Sequence, residues 1–215
     1  MVMNNYFITS VLFSHIAYKT VADMKSSVFF CRNFKIVLFA LLLCNFGAFA
    51  QKTTIWIVSH AENVKDRDML SDSGQERAND LMKALRHSGV ETIYTTGARV
   101  SQQTANPLAV KVRLLPRIYT DSIKKFAGII KTNFIGKNVL IIADYKTIIP
   151  LLGEFGADSP FDELGPGDYD QLFTVTIKPS GDAESAVRYF GKKHHDNEIP
   201  QSYIMDNFQP GVPGK

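Results

Sequence analysis

The stretch Thr53-Thr54-Ile55-Trp56-Ile57-Val58-Ser59-His60-Ala61-Glu62 decides the fold. Ile55 to Ser59 is an apolar, β-branched and aromatic run with no polar alternation. Such a run reads as a strand buried on both faces, which is the pattern of a parallel sheet covered by helices. His60 stands at its C-terminal end. A second run, Asn138-Val139-Leu140-Ile141-Ile142-Ala143-Asp144, has the same form and ends on an acid. In α/β folds the chemistry gathers at the C-terminal edge of the parallel strands. Two buried strands that each deliver a polar residue to one edge predict one site built from both.

The pattern around these runs alternates between helix and strand. Ala78, Leu81, Met82 and Leu85 fall at i, i+3, i+4 and i+7, one buried helical face. Ser71 or Ser73 is expected to cap this helix, the second with Glu76 at capping-box spacing, and Gly89 to end it. A short strand is expected over 91–95. The next helix begins near Arg99, with Ala105, Leu108, Ala109 and Val112 inward and a kink or break at Pro107. An edge strand over 114–119, where Pro116 is tolerated, precedes a helical stripe of Ile123, Phe126, Ala127 and Ile130. After the Asn138 strand comes a helix with Ile148, Leu151, Leu152 and Phe155 inward, then an acidic, Gly- and Pro-rich loop over 158–170. The acids Asp158, Asp162, Glu163, Asp168 and Asp170 match no calcium-loop spacing and read as solvated. Two final strands, 172–177 and 186–190, flank a Pro-Ser-Gly turn. The expectation is a single α/β domain over 51–192, a three-layer sandwich of a mostly parallel sheet with helices on both faces. Residues 193–215 are expected to be a loose tail, with His194 and His195 solvated rather than metal-binding.

Charge and cysteine usage narrow the function classes. The chain of 215 residues carries a formal charge of +3. Residues 1–50 hold Lys19, Lys25, Arg32 and Lys35 against Asp23, which leaves 20 basic and 20 acidic residues in 51–215. A neutral domain gives no electrostatic case for nucleic acid or an anionic membrane. Met24-Lys25, Arg32 and Lys35 form a basic region ahead of the apolar run Ile36 to Leu43. Ala48-Phe49-Ala50 then supplies an A-x-A cleavage signal, so residues 24–50 read as a secretory signal peptide, with Gln51 the first mature residue. The run is too short for a membrane span of ~20 apolar residues. Residues 1–23 have no role in this scheme and read as a dispensable upstream extension. Cys31 and Cys44 both lie inside the signal. A mature chain without cysteine folds in an oxidising compartment without disulfides. The expected location is therefore secreted or periplasmic, with no cofactor, no metal and no stable membrane span after cleavage.

Five segments, in order, resemble the histidine phosphatases, the phosphoglycerate mutase-like superfamily, in its short secreted form. "TTIWIVSHAE" resembles the strand and RHG or RHAE signature, and "LSDSGQERANDLMKAL" the L-T-x-x-G helix start. "IYTTGARVSQQTANPLA" resembles the I-Y-S-S segment with its arginine and Q-T-A-x-P-L-A ending. "NVLIIADYKTIIPLL" resembles V-L-V-V-G-H-S-N-T-I-P, and "GDYDQLFTVTI" the E-Y-D-x-L-F strand. The resemblance implies a phosphoryl-transfer site in which the histidine at His60 is the nucleophile. Two arginines and a second histidine would hold the phosphoryl oxygens, because catalysis of this step rests on positioned charge.

The departures fall on those positions. The first arginine is Ser59, the second is Val100 and the second histidine is Asp144. Two unit charges about 4 Å apart interact by ~4 kcal/mol at an effective dielectric of about 20. Losing two cations and gaining an anion should therefore remove most phosphate affinity. Arg99, Lys146 and Arg67 are the nearby cations that compensation would need, and each reads as a surface charge. The expected function is a catalytically impaired pseudophosphatase acting as a binding module, for a small anionic ligand or an envelope protein. The alternative is an active phosphomonoester hydrolase working through His60 with Arg99 or Lys146 in a remodelled pocket.

Overall fold

A computed structural model describes the backbone of residues 51–207 and the side chains of 51–204. The expected signal peptide with Cys31 and Cys44, and the last residues of the expected tail, lie outside the described residues. The elements are β1 (Thr53–Ser59), α1 (Asp72–Leu85), β2 (Thr92–Thr95), α2 (Arg99–Val112), β3 (Arg117–Ile118), α3 (Ile123–Asn133), β4 (Asn138–Ala143), α4 (Tyr145–Phe155), β5 (Gln171–Ile177), β6 (Ala183–Tyr189) and α5 (Gln201–Asn207).

One sheet runs in the order β3-β2-β4-β1-β5-β6. β3, β2, β4 and β1 are mutually parallel. β5 lies antiparallel to β1, and β6 antiparallel to β5. The α/β reading holds, and the closing hairpin makes the sheet mixed. That hairpin follows from its turn: Lys178 N–H bonds Asp182 O at 2.8 Å, and Gly181 takes φ +94, which a side chain resists.

Alternation along the buried strands feeds two cores. Ile55, Ile57, Val139, Ile141 and Phe173 pack with Phe126, Ile130, Leu151 and Phe155 of α3 and α4. Trp56, Val58, Leu140 and Ile142 pack on the other face with Leu81, Leu85, Ala105 and Leu108 of α1 and α2. Each fully buried side chain of this size contributes about 1.5–3 kcal/mol, so both faces hold the central strands in place.

Three local expectations change. Pro107 neither breaks nor delays α2, which runs from Arg99 to Val112; the inward face Ala105, Leu108 and Ala109 stays buried on either side of it. Ser71, not Ser73, caps α1 by accepting from Gly74 N at 3.1 Å. The chain beyond Lys192 is not loose where described. Asp168 and Asp170 are each 1% exposed and bind backbone N–H groups of 194–197. Burying two carboxylates requires such donors, and that requirement ties the segment down.

The loop after β1 is closed by a buried ion pair. Arg77 donates through Nε to Glu62 Oε1 and Oε2 at 3.0 and 2.9 Å, and through a terminal nitrogen to Oε1 at 2.7 Å. The two residues are 4% and 7% exposed. The other terminal nitrogen reaches the carbonyls of Phe190 and Lys192 at 3.4 and 3.0 Å. Gly74 makes the approach possible, since a Cβ there would sit 2.0 Å from Glu62 O. Removing one partner of a buried pair strands the other charge. Arg77→Ala should therefore lower the unfolding free energy by about 3–5 kcal/mol in denaturant titration. Lys83→Ala, which breaks the exposed Asp80 pair, should change it little.

Candidate functional site

β1 and β4 end together. Ser59 pairs with Ala143 in the last rung, and His60 N–H donates to Ala143 O at 3.1 Å. His60 and Asp144 thus stand one residue beyond that rung on neighbouring parallel chains. Both are half-buried.

His60 is held in one tautomer. Its Nδ1 lies 2.9 Å from Ala61 O. A carbonyl only accepts, so Nδ1 carries the hydrogen in this contact, and in the neutral ring Nε2 keeps its lone pair. Ser59 lacks reach and charge: it is 3% exposed and its Oγ has no partner.

The other positions are turned to structural use. Val100 is 6% exposed and packs with Ala61, Leu70 and Ala78. Asp144 caps α4, accepting from Lys146 N at 3.0 Å. Arg99 and Lys146 are both exposed. The Lys146 ammonium lies 5.5 Å from the centroid of its neighbour Tyr145, a cation–π contact.

Asp68 is a site residue the sequence did not reveal. It accepts from Arg99 N at 2.8 Å and Val100 N at 2.9 Å, capping α2 across 31 and 32 residues. Those N–H groups hold its carboxyl below the usual range against the opposing effect of burial, with lesser help from the Arg99 and His60 charges. No local spacing signals a cap contributed from so far away.

Tyr169 is the second such residue. Its ring lies 6.2 Å from His60 at 55°, and 5.1 Å from His194 in an edge contact. Burial pushes its hydroxyl up, and the charge of Glu62 adds to that. The neighbours on each side anchor it. Asp168 accepts from Asp196 N, Asn197 N and Gln171 Nε2 on Oδ1, and from Gly165 N and Asn197 Nδ2 on Oδ2. Asp170 accepts from His194 N at 2.9 Å and bonds His195 Nδ1 at 2.8 Å. The His195 ring stacks on Tyr189 at 4.2 Å, and its Nε2 lies 3.4 Å from Glu198, at the edge of hydrogen-bond reach. The two acids read as solvated loop are buried anchors. Among the described residues no group of three His, Cys, Asp or Glu side chains is placed to hold a metal ion.

No family model matches the chain, and no curated protein matches it. Solved structures do. An Escherichia coli K-12 protein provisionally named an alpha-ribazole-5'-P phosphatase aligns over 68% of this chain and 99% of its own, at 12% identity and TM-score 0.51. The alpha-ribazole phosphatase of Shigella flexneri aligns over 67% and 99%, at 13% and 0.50. A protein named mycobacterial hydrolase 1 aligns over 66% and 100%, at 13% and 0.50. The chain has the histidine phosphatase fold. At these identities the likeness is one of fold, and the chemistry has to be argued from the site.

The anchoring of Tyr169 has a pH signature. Burial alone would raise the Asp168 carboxyl, but the N–H groups of Asn197, Gly165 and Asp196 and the Asn197 side chain lower it below the usual range. A depressed pKa contributes stability above the unfolded value, and that stability is lost as pH falls through the folded one. Amide protection at Asp196 and Asn197, taken relative to intrinsic exchange at each pH, should be high at neutral pH and fall in acid below the usual carboxylate range. Asp168→Asn should release both amides already at neutral pH. Unchanged protection in that variant would place the anchor elsewhere.

Proposed function

We propose that this protein is a secreted or periplasmic binding module built on the histidine phosphatase fold, without phosphatase chemistry. One observation carries the reading: carboxylates of the chain itself occupy the two helix N-termini at the site edge. Asp68 takes the first N–H groups of α2, and Asp144 caps α4. Helix N-termini are ready sites for anions, and here that capacity is used internally. The positions that the family gives to its two arginines and second histidine hold Ser59, Val100 and Asp144. A phosphate dianion would meet an aspartate and no fixed cation. The proposed location rests on the basic, apolar and A-x-A sequence of residues 24–50.

A second reading has one observation in its favour. His60 bonds Ala61 O through Nδ1, which leaves Nε2 free in the neutral ring and suits a phosphomonoester hydrolase working through a phosphohistidine, with exposed Arg99 or Lys146. Kinetics separates the two. The natural protein should show negligible hydrolysis of a generic phosphomonoester. The combined Ser59→Arg, Val100→Arg and Asp144→His variant should gain measurable turnover or trap radiolabelled phosphate, and lose either on adding His60→Ala. Each single change should do little, because groups acting as one site are non-additive. Ordinary enzyme rates in the natural protein, abolished by His60→Ala, would establish the hydrolase instead.

A further inference from the structure

The groups left at the site edge define a ligand chemistry. The two acids there already hold backbone donors. Asp68 is matched by two backbone N–H groups and Arg99, and Asp144 by the Lys146 N–H. The Lys146 ammonium rests against Tyr145, and Glu62 is paired with Arg77. An anion would be repelled by these carboxylates, and a neutral ligand would not.

What stays unused is hydrogen-bonding capacity and aromatic surface. The hydroxyls of Tyr169 and Tyr145 make no hydrogen bond to a described residue, and both rings are half-buried. Tyr145 follows Asp144 directly and opens α4 at this edge. Asp144 uses Oδ1 for its cap, while Oδ2 takes no bond from a described residue. His60 Nε2 is an acceptor. Together these are donors, acceptors and an aromatic face in one place, the combination of a few placed polar groups with apolar surface that small-molecule sites use.

The Tyr169 ring is also fixed before any ligand arrives. Its N–H bonds His194 O at 3.1 Å, and the residues on both sides are the buried anchors Asp168 and Asp170. A ring held in place loses little freedom on binding. Its electron-rich face suits the partly positive C–H groups of a saturated ring that carries hydroxyls.

We propose that the His60 edge binds a neutral carbohydrate, with Tyr169 as the surface on which a sugar ring packs and Asp144 Oδ2 as an acceptor for its hydroxyls. This replaces the anionic ligand that the family resemblance suggests, and it rests on the reading that phosphatase chemistry is lost. The hydroxyl of Tyr145 supplies a further partner at the same edge. No covalent step is involved.

The test uses the whole mature protein with methyl glucoside, N-acetylglucosamine and maltose as neutral probes, and glucose 6-phosphate as the charged counterpart. Ligand-observed NMR detects contact, and calorimetric titration measures affinity. Saturable binding of at least one neutral probe is expected, with glucose 6-phosphate bound no more tightly. Tyr169→Ala and Asp144→Asn should each weaken binding by about tenfold, while Tyr169→Phe keeps the ring and loses less. Asparagine still caps a helix, so Asp144→Asn should keep the natural melting temperature and isolate the lost acceptor. No saturable binding of any neutral probe overturns the inference, and so does binding that neither variant weakens. If none of the sugars binds and no phosphoester is cleaved, the binding-module reading survives alone. Tighter binding of glucose 6-phosphate with hydrolysis that His60→Ala abolishes overturns that reading too.

Discussion

The Glu62–Arg77 pair is the constraint from which the rest of the site edge follows. It lies two residues past His60 and joins the loop after β1 to α1. Its remaining nitrogen holds the carbonyls of Phe190 and Lys192, at the start of the segment that anchors Tyr169. A bidentate guanidinium–carboxylate contact fixes direction as well as distance. Gly74 lets the Glu62 backbone sit against α1, where Ser71 N–H and Oγ both donate to the Glu62 carbonyl at 2.9 and 3.2 Å. The position of His60 is therefore set from the strand side by Ala143 and from the loop side by this pair.

The same economy of polar groups supports the proposed loss of phosphatase chemistry. A helix N-terminus leaves N–H groups that need partners. In this chain α2 takes Asp68 and α4 takes Asp144 as those partners. Val100 adds to the small core around Ala61, Leu70 and Ala78. At positions where the family resemblance expects a histidine and an arginine, Asp144 completes a cap and Val100 a small core. The site keeps a well-oriented histidine in surroundings that balance their own charge.

The fold was legible in the sequence because its signals are local. Two unbroken apolar runs gave the central strands, and helical stripes such as Ala78, Leu81, Met82 and Leu85 gave the flanking layers. His60 and Asp144 were legible as site positions because each ends such a run. The rest depended on contacts between distant residues. Asp68 caps a helix 31 residues away. Asp168 and Asp170 look like solvated acids in a Gly- and Pro-rich loop, and only the fold brings residues 194–197 to them. Tyr169 carries no periodic signal at all. Pro107 misled because helix interruption is a local rule, while the packing on either side of it is tertiary.

The central claim is that the His60 edge no longer holds an anion. The most direct measurement is nitrogen-detected NMR of the His60 imidazole, assigned by its absence in His60→Ala, during titration with inorganic phosphate at constant pH and ionic strength. The account predicts no saturable change in the His60 signals across millimolar phosphate. A saturable shift of those signals would contradict it.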